Sequence, residues 1–255
     1  MPAESTGRAE RRPGESALRL ISIYPMLLGT YGDGGNLRVL AQRARARGYK
    51  VEATELDAGE PVPAGADLYL LGGGEDDAQV AAARALRADG GLRRAVDAGA
   101  AVFAVCAGYQ LLGAQFPGSD GVLEPGLELL DVTTARLPKR AVGELLVAPV
   151  GGSLAQPLTG YENHAGATSL GTEAKPLGVV EAGIGNGTGD VGGSSSEGAV
   201  QARMLGTYLH GPGLARNPEL ADLLLSWVIG SPLPAWENAD IDALRAERLA
   251  AVRSR

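Results

Sequence analysis

The sequence predicts an α/β fold in which a mostly parallel sheet is covered by helices on both faces. Short apolar runs of strand length, at residues 18–24, 68–71 and 100–105, alternate with segments of helical periodicity. Glycine-rich turns join them, notably Gly32-Asp33-Gly34-Gly35 and Gly72-Gly73-Gly74. The strand runs are apolar at consecutive positions, as burial on both faces of a parallel sheet demands. In such sheets ligands bind beyond the carboxyl ends of the strands. The loops after Tyr24, Leu71 and Val105 are therefore the places to search for chemistry.

The first run stops at Pro25, and the loop that follows is expected to close on Asn36 as a helix N-cap. Leu37, Leu40, Ala41 and Ala44 then recur at helical spacing until Gly48. Residues 49–55 alternate like a strand, and residues 79–98 read as helix interrupted at Gly90-Gly91. Around His164 no clear periodicity shows. Strands are expected at 179–181 and 204–209, on either side of a glycine- and serine-rich stretch, 183–196. That stretch contains G-x-G-x-x-G (Gly187, Gly189, Gly192), but no helix opens after it. The dinucleotide-binding reading therefore lacks its context, and a mobile surface loop is expected. Asn217-Pro218-Glu219 begins a helix bearing Leu220, Leu223, Leu224 and Val228, ended by Gly230. A last amphipathic helix covers about 239–252, with Ile241, Leu244 and Leu249 on one side. The expected organisation is a disordered leader (1–16), one domain (17–230) and a C-terminal helical segment (231–255) packed on or beside it.

Composition narrows the function classes. The 255 residues are 45% hydrophobic and 21% charged, enough for one large domain. A net charge of −7 and a pI near 5.0 argue against a nucleic-acid-binding surface. No apolar run is long enough to insert in a bilayer, and the start lacks the apolar core of a signal peptide, so a cytoplasmic location is expected. The single cysteine excludes an intramolecular disulfide and a multi-cysteine zinc site, and a free thiol suits a reducing compartment.

That cysteine carries the densest signal. Ala101-Val102-Phe103-Ala104-Val105-Cys106-Ala107-Gly108-Tyr109-Gln110 is an apolar strand, a cysteine, and an immediate helix start. This strand–nucleophile–helix arrangement pushes a reactive side chain out over a sheet edge and tolerates only small residues two places away, here Ala104 and Gly108. A helix N-terminus favours the thiolate. The Ala107 N–H is placed to meet an oxyanion, and the Gly72–Gly74 loop, with Gly73 and Gly74, is the second candidate half of that hole. A lone cysteine is commonly just a small buried hydrophobe, but this flanking pattern argues for a working thiol.

Either of the two histidines can pair with Cys106. His210 stands where the 204–209 strand delivers a residue to the sheet edge, with Gly211-Pro212 turning the chain at once. His164 reads as a structural or supporting residue. No further ligands at metal-binding spacing accompany the two, so no metal site is assigned.

With these residues in hand, the chain resembles the class I glutamine amidotransferases, which have a flavodoxin-like fold. Cysteine elbow, glycine-rich loop and late histidine occur in that family's order. It is most similar to the cobyric-acid-synthase-like branch, and within it to the glutaminase subunits of lipid II isoglutaminyl synthase. The matching stretches include Tyr31-Gly32-Asp33-Gly34-Gly35-Asn36, Leu71-Gly72-Gly73-Gly74-Glu75-Asp76, Cys106-Ala107-Gly108-Tyr109-Gln110, Tyr161-Glu162-Asn163-His164 and Gly206-Thr207-Tyr208-Leu209-His210-Gly211-Pro212. The resemblance implies Cys106 as nucleophile, His210 as general acid/base, and Arg140 as the arginine that holds the glutamine carboxylate, a role suited to a guanidinium fork. Many class I members complete a triad with a glutamate two residues after the histidine. Here that position is Pro212, which leaves open whether an acidic side chain from elsewhere, a carbonyl or water orients His210.

The resemblance also implies L-glutamine as substrate and a heterodimer with a Mur-ligase-like amidating subunit. This chain would hold no cofactor of its own; ATP and Mg are expected on the partner, since no G-x-x-x-x-G-K-[ST] loop occurs here. Competing readings are a glutaminase serving a cobyrinate-type synthetase, a non-catalytic scaffold of the same fold, and a cysteine peptidase.

Overall fold

In the computed structural model, residues 10–187, 195–234, 236 and 238–253 are described. The first half of the chain alternates strand and helix. β1 (Leu18–Ile23) leads to α1 (Gly35–Ala46), β2 (Val51–Leu56), β3 (Leu68–Leu71), α2 (Asp76–Asp89), α3 (Gly91–Asp97), β4 (Ala101–Val105) and α4 (Ala107–Leu112). β3 and β4 are buried along their whole length, whereas the charged edge strand β2 is largely exposed. Gly90, at φ 64°, ends α2 and starts α3, as the paired glycines predict.

The second half is richer in strand. It comprises β5 (Gln115–Pro117), β6 (Leu123–Pro125), β7 (Val132–Pro149), β8 (Leu158–Leu170), β9 (Gly178–Ala182), β10 (Ser196–Glu197), β11 (Ala199–Gln201) and β12 (Met204–Thr207). Three helices close the chain: α5 (Gly213–Arg216), α6 (Pro218–Ile229) and α7 (Ala239–Arg253). No helix among the described residues is long and apolar enough to cross a membrane.

The main sheet has the order β11-β12-β4-β3-β1-β2, parallel except for β11 at one edge. Helices α1 and α6 pack together against it, while α4 lies along β3, β4 and β12 with α2 beside it. This is the expected α/β architecture. A second, antiparallel sheet, β10-β9-β7-β8, stands against α4. Its long β7–β8 ribbon is not foreshadowed by apolar alternation. The inward positions of β8 are Glu162, His164, Gly166 and Thr168, polar or without a side chain, so the period of two is present in burial and absent from hydrophobicity.

A buried polar seam therefore runs between the sheets. His164 stacks on Tyr208 at 3.6 Å and donates from Nδ1 to the Gly166 carbonyl, 2.9 Å away. The Glu162 carboxylate accepts the N–H groups of Ile184 and Gly185 at 2.8 and 2.9 Å. Asn186 is fully buried and donates to Ser196 and Gly198. The described start of the stretch expected to be a mobile surface loop is thus anchored; its residues 188–194 lie outside the described residues.

One other expectation is corrected. Asn36 is not a cap: α1 is capped at Gly34, and Asn36 lies inside the helix with Oδ1 accepting the Leu214 N–H. Asn217 does occupy the N-cap of α6, but its side chain grips the Thr159 backbone on β8 instead of the helix. The C-terminal helix α7 buries little beyond Val252, with Leu244 47% exposed. Arg245 anchors it through the carbonyls of Arg216 and Pro157. Within the stretch read as a disordered leader, residues 1–9 are outside the described residues. Arg11, by contrast, docks bidentately on the buried Asp67 at 2.7 Å for both bonds.

Glu197 illustrates the cost of the polar seam. One carboxyl oxygen accepts the Thr207 hydroxyl and the Tyr208 N–H, while the other has no hydrogen-bond partner among the described residues. Burial raises its pKa from 4.5 to about 7 against those two hydrogen bonds. The folded state therefore holds this proton more tightly than the unfolded chain. Stability should fall as pH rises from about 4.5 to about 7 and then level off. Glu197→Gln should remove that slope, worth on the order of 3 kcal/mol. Melting temperatures of variant and wild type, compared from about pH 5 to about pH 8, should shift in the variant's favour. A constant difference would assign the slope elsewhere.

Candidate active site

β4 delivers Cys106 at the carboxyl edge of the main sheet in a strained conformation, φ 52° and ψ −107°. The turn is fixed on both sides. Cys106 N–H donates to the Thr207 carbonyl on the neighbouring strand, and the Gly108 N–H donates to Gly72. A β-carbon at position 108 would stand 2.7 Å from Leu71 Cβ, so the close approach of α4 to the β3 loop requires glycine there. The thiol is only 7% exposed, with Sγ 3.9 Å from the Asn163 carbonyl.

His210 follows β12 and is fully buried. Its backbone exchanges two hydrogen bonds with Tyr161 of β8, which holds the second sheet to the site. Its Nδ1 donates to Asp33 Oδ2 at 2.9 Å, answering what orients the ring: an acidic side chain from the loop after β1. The same Asp33 oxygen accepts the Gly73 N–H at 2.8 Å. A β-carbon at position 73 would stand 2.6 Å from His210 Cε1, 3.1 Å from Asp33 Oδ2 and 3.4 Å from Cys106 Cβ. Gly73 is thus the point where all three side chains meet.

With Nδ1 taken by Asp33, Nε2 is the ring nitrogen left over, and it has no hydrogen-bond partner among the described residues. Burial alone would lower the imidazole pKa. The Asp33 hydrogen bond and the Cys106 thiol outweigh burial and raise it from 6.5 to about 10. At neutral pH the ring therefore holds its proton. His164, by contrast, belongs to the seam behind the site, as its place in β8 dictates.

The arrangement alters the expected oxyanion hole. Gly73 is removed from it, because its N–H is committed to Asp33. Gly74 and Ala107 both line the cleft in front of Cys106. Arg140 reaches the same cleft by a different device. Residues 137–140 bulge from β7 opposite the single residue Ala165, and this turns Arg140 toward the opening. Its Nε donates to Asn163 Oδ1 at 2.6 Å. Arg136 lines the same cleft and pairs there with Asp76 at 3.4 Å. The open cleft also presents Tyr31 and Gln110. The cleft presents the thiol, the Gly74 and Ala107 backbone and guanidinium groups, while the buried His210 meets Cys106 and Asp33 around Gly73.

Asp33 and Asn163 both lie in the motifs quoted above, yet neither received a role from sequence. The signal for Asp33 was its place in one of the three carboxyl-edge loops. Asn163 had no comparable cue, because β8 itself was not legible.

Comparison with known proteins agrees with this geometry. The family model for the CobB/CobQ-like glutamine amidotransferase domain matches residues 19–218. The chain is similar to the lipid II isoglutaminyl synthase (glutamine-hydrolyzing) subunit GatD of Staphylococcus aureus (strain N315), 35% identical over 80% of this chain and 83% of that protein. It is also similar to its counterpart in Streptococcus pneumoniae (strain ATCC BAA-255 / R6), 30% identical over 87% and 86%. A cobyric acid synthase of Sphingopyxis alaskensis is 32% identical over 95% of this chain but only 47% of its own length. Among solved structures, a glutamine amidotransferase superposes with a TM-score of 0.55 at 20% identity, covering 82% of this chain and 98% of that one, a likeness of fold.

With two histidines in the chain, their titration can be followed by NMR. His210 should stay protonated through neutral pH and lose its proton near pH 10. In Asp33→Asn the transition should fall by roughly one to three units, because the anion that favours the imidazolium is gone. An unmoved transition would show that Asp33 does not hold the charge.

Proposed function

The chain belongs to the CobB/CobQ-like glutamine amidotransferase family, and on that premise we propose that it is the glutaminase subunit of a two-chain amidating enzyme. It hydrolyses L-glutamine to glutamate and passes the ammonia to a Mur-ligase-like partner, which amidates D-glutamate in the lipid II stem peptide. The observation that carries the chemistry is the meeting of Cys106, His210 and Asp33 around Gly73.

Glutamine enters with its α-carboxylate on Arg140. The Cys106 sulfur attacks the side-chain amide carbon, and the oxyanion rests on the N–H groups of Gly74 and Ala107. His210 donates its Nε2 proton to the departing nitrogen, which leaves as ammonia and a thioester. The now neutral ring takes a proton from water, hydroxide adds to the thioester, and collapse releases glutamate and restores the sulfur anion. Asp33 holds the ring in the tautomer this cycle requires.

The partner rests on two supports. Both relatives named as isoglutaminyl synthase subunits are matched over most of their length. The sequence also has no G-x-x-x-x-G-K-[ST] loop, in keeping with a reading in which ATP and Mg²⁺ are held by a second chain. Ammonia is mostly protonated at neutral pH and then non-nucleophilic, so a shielded path between subunits belongs to this reading, as does a cytoplasmic site that keeps the thiol reduced. A second reading, service to a cobyrinate-type synthetase, is favoured by the cobyric acid synthase match. The chain spans under half of that protein's length.

Cys106→Ala should abolish ammonia release from glutamine; surviving turnover overturns the assignment. Arg140→Ala should raise KM by roughly 10- to 100-fold with a smaller effect on kcat, the expected loss of one charge-assisted contact to substrate. For the partner, the chain should co-purify with a Mur-ligase-like subunit and support glutamine-dependent amidation of lipid II only with it. Amidation of a corrinoid acid instead would favour the second reading.

A further inference from the structure

The loop after β1 that carries Asp33 also carries Tyr31, whose φ of 61° is unusual for a residue with a side chain. Tyr31 is 42% exposed at the mouth of the cleft, and its ring meets the His210 ring edge-on, with centroids 5.1 Å apart. Its hydroxyl accepts a hydrogen bond from Asn163 Nδ2 at 2.7 Å.

On its other side Asn163 accepts from Arg140 Nε at 2.6 Å. A guanidinium can only donate, so the amide atom facing it must be Oδ1, and Nδ2 must then face Tyr31. The two contacts fix the amide's orientation between them. The Asn163 backbone sits at the same junction: its carbonyl lies 3.9 Å from Cys106 Sγ and 3.5 Å from Arg140 Nη2.

Arg140 is exposed, stands on a bulge, and makes its hydrogen bonds within the described residues to Asn163 alone. A long side chain of this kind loses much rotamer freedom when it is held in one geometry. We propose that Tyr31 is a positioning residue for substrate capture, fixing the Asn163 amide so that Arg140 is aimed across the cleft before glutamine arrives. One short loop then sets up both ends of the site: Asp33 orients the acid/base, and Tyr31 orients the carboxylate clamp through Asn163. This inference rests on the glutaminase reading and on Arg140 as the clamp.

The test is Tyr31→Phe in the full chain, which keeps the ring on His210 and removes only the accepting oxygen. KM for L-glutamine should rise about fivefold to tenfold, the loss of about one hydrogen bond, while kcat stays within about twofold. In an Asn163→Ala background the same substitution should add nothing, because the relay is already cut. A Tyr31→Phe variant with unchanged KM, or with an effect that adds to that of Asn163→Ala, overturns the relay while leaving the glutaminase reading intact. A wild-type chain that releases no ammonia overturns the glutaminase reading instead. The relay is still read without turnover through the Arg140 Nε–H resonance. That proton should exchange slowly with water in the wild type and faster in Tyr31→Phe; equal rates overturn the relay.

Discussion

The contact between Asp33 and His210 is the constraint on which the site depends. It joins residues 177 positions apart, one in the loop after the first strand and one after the last. Both side chains are fully buried, so neither charge can fall back on water. A buried pair of this kind is a modest source of stability but a strict one, since losing one partner costs roughly 3–5 kcal/mol. The cost is limited here because the Gly73 amide also donates to the carboxylate. That second bond draws the β3 loop into the same junction. All three loops singled out by the parallel-sheet rule thus converge on one point.

Glycine at position 73 makes the convergence possible, and it also removes a donor from the oxyanion hole. The two consequences have one cause: the backbone comes so close to Asp33 that its N–H is used there. The second sheet meets the same junction through Tyr161, whose backbone pairs with His210. β8 then offers one face to the cleft, with Asn163, and the other to a polar interior of Glu162, His164 and Thr168. Such an interior is costly unless its groups are satisfied, and most are. Among the described residues, His164 Nε2 and one Glu197 oxygen in this interior lack hydrogen-bond partners, and at Glu197 burial shows as a raised carboxyl pKa.

Much of this was legible in the residues because it depends on local pattern. β3 and β4 are apolar at every position, Gly90-Gly91 breaks the helix where expected, and the cysteine elbow is a contiguous signature. What escaped was of two kinds. β8 buries Glu162, His164, Gly166 and Thr168, and β7 exposes Val142 while burying Leu145, Leu146 and Val147 in succession, so a strand search by apolar alternation fails on both. Asp33 escaped for a different reason: its partner lies across the molecule, and only the order of strands in the sheet brings the two together. Resemblance supplied Arg140, whereas the bulge that aims it follows from register, which sequence spacing does not reveal.

The electrostatics of the site set how its histidine binds a proton. Burial of the ring opposes the charged form, whereas the Asp33 hydrogen bond and the Cys106 thiol favour it more strongly, so the imidazole pKa rises to about 10. Because Asp33 occupies Nδ1, any proton the ring exchanges must pass through Nε2, the atom for which the described residues supply no hydrogen-bond partner. The contact that orients the ring therefore also decides which of its two nitrogens is left to meet a ligand.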